Sequence, residues 1–189
     1  MNVYDFDNTI YHGESCMDLF FYYMKKHPSL VIYLPKTVFG FIKYKLRLVT
    51  LDSLVNDYGR FAEELFKGIQ NVDEQVSDFW DKHMHKIKPF YYAQQREDDL
   101  IISASPEFVL KELFRRININ NYMGTRVNTK TRKIEFVCFR ENKIPAFKSR
   151  YPDTVIENFY TDSMNDKPLM DLSKNVFLVR GNKIKKIKP

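Results

Sequence analysis

The chain has 189 residues, of which 44% are apolar and 29% charged, with a formal net charge of +6. That length fits one domain with a large insert or two small domains, and the composition excludes a disordered chain and an integral membrane bundle. Cys16 and Cys138 are the only cysteines, and neither sits in a Cys-x-x-Cys or Cys/His pattern; neither a disulfide framework nor a zinc site is expected, and a reducing compartment is.

The first predicted element is a short strand over Asn2 to Phe6, running into Asp5-Phe6-Asp7-Asn8-Thr9. The N-terminus shows neither the basic start nor the apolar stretch of a secretory signal, so a cytoplasmic location is expected. From about Tyr11 to Gln94 the pattern is almost entirely helical. Ser15 is placed as the N-cap of a helix reaching about Lys26, ahead of Pro28. The most apolar window, Leu30 to Leu51, is broken by Pro35 and interrupted by Lys36, Lys43, Lys45 and Arg47, which excludes a transmembrane helix. Helical phasing from Lys36 to Val49 puts Val38, Phe41, Ile42, Leu46 and Val49 on one side, with Lys36, Lys43 and Arg47 on another. That stripe is expected to pack on the other inserted helices; a helix lying peripherally on an anionic membrane is the alternative. Two regular apolar stripes follow, Leu51 to Ile69 and Val72 to Ile87, separated by a break at Gly68 and Asn71.

Beyond Arg96 strands and helices alternate. Asp98 to Ser103 reads as a buried parallel strand ending in a small polar residue. Ser105 is predicted to cap the next helix, with Pro106 in its first position and its end near Arg116. Thr125 to Phe139 looks like a strand pair around Thr129-Lys130-Thr131. Val155 to Thr161 leads into Asp162, and Val176 to Ile187 reads as a hairpin across Gly181-Asn182. Strand, insert, then alternation predicts an α/β fold: a Rossmann-like three-layer α/β/α core with a parallel sheet, plus an inserted α-helical cap. The expected division is a core of residues 1–11 and 95–189 with a cap of residues 12–94.

Parallel sheets bind ligands at the carboxyl ends of their strands, and Asp5, Ser103 and Asp162 each stand at such an end. Asp5 and Asp7 are two apart in an extended segment, so both carboxylates can face one ligand and divide nucleophilic from acid/base work. Asp162 and Asp166, four apart at a strand-to-helix turn, suit a hard cation such as Mg²⁺, which takes oxygen ligands. Each residue also has an ordinary reading. Asp5-x-Asp7 suits a loop of local Asx turns, Ser103 a strand-end hydroxyl, Lys143 a solvated surface lysine, and Asp166 a helix start.

Taken in order, these segments resemble the four motifs of the haloacid dehalogenase superfamily. The resemblance covers about the first 14 residues and most of Asp98 to Val179. It implies that Asp5 is a nucleophile and Asp7 the general acid/base, that the Ser103 hydroxyl binds a phosphoryl oxygen, and that Lys143 stabilises the same group. It further implies Mg²⁺ held by Asp5, the Asp7 main-chain carbonyl and Asp162, with Asp166 orienting Lys143 or a metal-bound water. The helical insert between the first two motifs is similar to that of the subfamily containing phosphoserine phosphatase, where Glu14 falls at a substrate-contacting glutamate. The aromatic helix, His27-Pro28, Ser105-Pro106 and Asp162-Ser163 also resemble the phosphatidylglycerophosphatase C family. The implied function is a magnesium-dependent phosphate-monoester hydrolase with an aspartyl-phosphate on Asp5. Its partner would be a small phosphorylated metabolite or a lipid phosphate, and nucleic acid is not expected. A phosphate-binding protein without turnover is the alternative.

Overall fold

The structure is a computed structural model, described here for residues 1–46, 48–49 and 71–188. Seven strands form one sheet: β1 (Asn2–Tyr4), β2 (Leu100–Pro106), β3 (Tyr122–Asn128), β4 (Lys133–Phe136), β5 (Ile156–Thr161), β6 (Ser173–Arg180) and β7 (Lys183–Lys188). Their order is β4-β3-β2-β1-β5-β6-β7, with five parallel strands in the middle and an antiparallel strand at each edge. The central strands are apolar on both faces because helices cover both. The β7 edge, in contrast, is a row of exposed lysines and isoleucines, a composition that discourages further strand pairing.

Seven α-helices are described: α1 (Ser15–Lys26), α2 (Leu34–Lys45), α3 (Val72–His83), α4 (Pro89–Gln94), α5 (Glu107–Arg116), α6 (Lys143–Arg150) and α7 (Lys167–Asp171). Strand alternation sorts the core into two clusters. Tyr4, Ile101 and Tyr160 face one side, where α1, α3, α4 and α5 pack. Val3, Leu100, Ile102 and Phe159 face the other, where Phe147 of α6 and Leu169 and Met170 of α7 close the layer. Helix, sheet and helix thus form the three layers expected of the α/β class.

Part of the insert is built into this core. Phe79 and Trp80 of α3 are fully buried, and the Trp80 ring meets Phe6 and Tyr11 edge-on at 6.3 and 5.8 Å. Its indole N–H donates to the Val109 carbonyl at 2.8 Å. Arg116 of α5 reaches back to Asp81 at 2.6 Å and to the Ser77 hydroxyl at 2.8 Å.

Four local expectations need adjustment. α1 takes Glu14 as its N-cap residue without a side-chain cap, and the freed Ser15 amide goes to the Asp7 carboxylate. Pro35 sits in the first turn of α2, where its missing N–H breaks no helical bond. Ser105 does not cap α5. β2 runs on through Pro106, which pairs with Thr125, and the helix starts at Glu107. β3 can run this close because position 124 is glycine; a Cβ there would stand 2.6 Å from the Ser105 carbonyl oxygen. Finally, the stripe on α2 does not turn inward. Val38, Phe39, Ile42 and Leu46 are exposed, Leu46 by 62%, while Val49 is buried. The Leu51 to Ile69 stripe, and the side chains of Phe41, Lys45 and Arg47, lie outside the described residues.

Candidate active site

The carboxyl ends of β1, β2 and β5 and the start of α6 converge on a cavity of about 200 Å³. Asp5, Asp7, Glu14, Lys143, Asp162 and Asp166 line it. Surface grooves elsewhere are larger, about 410 to 460 Å³, so charge rather than size singles this one out.

Lys143 is the centre of one half. Its residue is only 3% exposed, and its ammonium lies 2.8 Å from Asp5 Oδ1 and 2.7 Å from Asp166 Oδ1. The second Asp166 oxygen accepts from the Thr161 hydroxyl at 2.9 Å, and Thr9 reaches Asp5 Oδ2 at 3.4 Å. Burial disfavours the Lys143 ammonium, but Asp166 and Asp5 outweigh it and hold the proton above the ordinary lysine range. Asp5 is pushed well above the usual carboxylate value. Burial is the main cause, and repulsion from Asp166 and Asp162 adds to it against the pull of Lys143.

Asp7 is held differently. Its Oδ2 accepts from the Ser105 hydroxyl at 2.6 Å and its Oδ1 from the Ser15 amide at 2.6 Å. The Ser15 and Ser105 hydroxyls are 2.9 Å apart, and the Ser105 amide donates to Ser103 Oγ at 3.0 Å. Burial, then repulsion from Glu14, raises Asp7 to about 6, against the lowering by the two serines. That places it where a group can both give and take a proton near neutral pH. Glu14 itself accepts from the Asn8 side-chain amide at 2.6 Å.

Six of the seven residues singled out in the sequence, Asp5, Asp7, Glu14, Lys143, Asp162 and Asp166, line this cavity; Ser103 does not, being fully buried and linked to Asp7 only through Ser105. Three participants were missed. Ser105 belongs to the site, and the Ser-x-Ser spacing on a strand was the signal for it. Lys88, which precedes Pro89, is buried beneath the first-motif loop and donates to the Asn8 carbonyl; burial lowers its proton affinity and Asp162 opposes that. Asn165 Oδ1, at the cavity wall, is buried with no hydrogen-bond partner among the described residues.

A family model for haloacid dehalogenase-like hydrolases matches residues 3–171. The chain belongs to the haloacid dehalogenase-like hydrolases. No curated protein matches it. Solved structures share the fold at low identity. A Bordetella pertussis Tohama I protein of unknown function has a TM-score of 0.67 at 15% identity, over 90% of this chain and 85% of that one. A phosphoserine phosphohydrolase-like protein from Francisella tularensis SCHU S4 has 0.62 at 16%, over 93% and 86%. A hydrolase of the same family from Salmonella enterica serovar Typhi has 0.60 at 13%, over 90% and 59%.

The haloacid dehalogenase-like family raises the question of a metal. Among the described residues no three His, Cys, Asp or Glu side chains gather as a metal cluster. The expected Mg²⁺ set needs fewer: Asp5 and Asp162, plus the Asp7 main-chain carbonyl. The donors fit a hard cation, being oxygens. The charge fits as well, since one ammonium faces Asp5 and Asp166 with Asp7, Glu14 and Asp162 on the same cavity. The Asn165 side-chain oxygen adds a further polar group to that wall.

Proposed function

We propose that this protein is a magnesium-dependent phosphatase that hydrolyses a phosphate monoester through an aspartyl-phosphate on Asp5. The observation that carries this reading is the pairing of two differently held carboxylates on one small cavity: Asp5 against the Lys143 ammonium, and Asp7 among neutral donors.

In this reading Asp5 attacks phosphorus and the ester oxygen leaves. Asp7 gives its proton to that oxygen, then takes one from the water that hydrolyses the aspartyl-phosphate. Ser103 and Lys143 stabilise the equatorial phosphoryl oxygens, and Asp166 holds the ammonium in place. Asp5, Asp162 and the Asp7 main-chain carbonyl would hold Mg²⁺, which would supply charge neutralisation and alignment. Glu14, on the cavity rim, is assigned a substrate contact. Within the insert of residues 12–94, α1, α3 and α4 complete one layer of the core, and the role of a cap is assigned to α2.

The substrate class is a small phosphorylated metabolite or a lipid phosphate, and one observation favours the second. No described helix is long and apolar enough to cross a membrane. Yet Ile32 is 77% exposed, and the outward stripe of α2 is apolar beside Lys36 and Lys43. Such a face suits a peripheral position on an anionic bilayer. The test is phosphate release from an aryl phosphate, phosphorylated metabolites and lysophospholipids, with and without Mg²⁺. Turnover that survives exhaustive chelation would remove the metal from the account. Phosphate binding without release would leave a binding protein.

A further inference from the structure

Lys88 lies where the chain returns from the insert. The outgoing and returning segments are stitched together: the His12 amide donates to the Lys86 carbonyl at 2.8 Å, and the Lys88 amide to the Ile10 carbonyl at 2.8 Å. An isolated antiparallel bridge joins Tyr11 to Ile87 between them. This stitching sets the Lys88 side chain beneath the turn that follows Asp7.

The side chain is almost wholly enclosed, with the residue 4% exposed. An ammonium has three N–H bonds to place. Here the direct acceptor is a peptide oxygen, that of Asn8, and the carboxylate whose field reaches the lysine is Asp162. Burying a cation against a main-chain carbonyl is unfavourable for stability, and an apolar side chain of the same length would fill the space more readily. The arrangement therefore asks for a role in the site.

Asn8 provides it. Its φ is +57°, the left-handed region that side-chain-bearing residues rarely adopt and that asparagine tolerates best. The turn is held from three directions. The Asn8 amide donates to the Gly13 carbonyl at 2.9 Å, and its side chain to Glu14 at 2.6 Å. Lys88 takes the carbonyl from the far end of the insert.

We infer that Lys88 is a positioning residue: it clamps the Asn8–Thr9 peptide, and with it the turn whose preceding peptide carries the Asp7 main-chain oxygen expected to meet the cation. The inference rests on the phosphatase reading above. It also has a sign of its own. A second positive charge near Asp162 would weaken Mg²⁺ binding by repulsion alone, whereas a clamp strengthens it.

The experiment is a calorimetric Mg²⁺ titration of the full chain, wild type against Lys88→Met and Lys88→Arg, with thermal melts and aryl-phosphate kinetics on the same samples. Lys88→Met is expected to lower Mg²⁺ affinity by about 10–100-fold, the range for supporting groups around a metal. It lowers kcat while leaving KM for the ester nearly unchanged, and Lys88→Arg, which keeps a charged donor, restores most of both. Lys88→Met binding Mg²⁺ as tightly as wild type, or more tightly, would overturn the clamp. If Lys88→Met melts too low to titrate, Lys88→Gln carries the same test: reduced affinity supports the clamp and wild-type affinity overturns it. Wild type that takes up no Mg²⁺ would overturn both this inference and the phosphatase reading. Wild type that binds, matched by both neutral variants, would overturn the inference alone.

Discussion

The two halves of the cavity hold their carboxylates by opposite means. On one side a buried ammonium bridges Asp5 and Asp166. On the other a hydroxyl and an amide, both neutral, hold Asp7. The ammonium pulls Asp5 toward its ionised form, though burial still holds it above the usual carboxylate range, while burial and Glu14 raise Asp7 to about 6 against its two neutral donors. In the proposed reading, two aspartates separated by one residue take different chemistry from their neighbours rather than from their type.

The strongest way to break this comparison is to neutralise each carboxylate in turn. Asp5→Asn removes the covalent route and should lower kcat by roughly 10⁴-fold or more, the scale of losing a nucleophile. Asp7→Asn removes proton transfer alone and should lower it by about 10²–10⁴-fold. Steady-state kinetics with an aryl phosphate decides between them. Equal, modest losses in the two variants would erase the proposed division of labour.

Stability should show the same asymmetry. Lys143→Met leaves Asp5 and Asp166 buried without their ammonium and should lower unfolding free energy by roughly 3–5 kcal/mol in urea titrations without Mg²⁺. Ser105→Ala removes a neutral donor to a charged acceptor, a loss of about 1.5–3 kcal/mol, with a smaller fall in kcat than Asp7→Asn. A Lys143→Met protein as stable as wild type would mean that the charged half is not held by its ion pairs.

A third carboxylate sharpens the contrast because no catalytic role is assigned to it. Asp99, at the other end of β2, accepts from the Arg96 amide at 2.9 Å and lies beside the Asn2 side chain. Burial raises it from 3.8 to about 6. A raised folded value means that its contribution is fully present below pH 3.8 and is lost as pH rises through about 6. Asp99→Asn should therefore stabilise the protein near neutral pH by about 1–3 kcal/mol, and the gain should vanish toward pH 4 in pH-dependent denaturation. A gain of the same size at every pH would assign it to packing instead.

The legible part of this molecule was the part that local pattern controls. Val3, Leu100–Ile102 and Phe159 form short apolar runs, and the polar residues that end them had to stand at the carboxyl edge of a parallel sheet. Lys143 was legible only through the family resemblance. Alone it reads as a surface residue, and what buries it is a pair of carboxylates 138 and 23 positions away in sequence, a contact no local pattern encodes. Ser105 was misread for a related reason. Ser-Pro locally favours a helix start, but pairing of Pro106 with Thr125 extends the strand, and Asp7 then claims the hydroxyl. The α2 stripe was phased correctly at Val38, Ile42 and Leu46, yet periodicity does not say which side faces the core, and here the apolar side faces outward. Lys88 gave no signal, because its partner is a peptide oxygen on a turn 80 residues earlier.

In the proposed reading Asp5 carries the phosphoryl group. This is tested most directly by quenching the protein in acid during turnover of an aryl phosphate with Mg²⁺ and locating the modification by peptide mass spectrometry. The account predicts a phosphoryl group on Asp5, present in Asp7→Asn, which slows its removal, and absent from Asp5→Asn. An enzyme that turns over steadily but carries the group on another residue, or retains it in Asp5→Asn, would contradict it.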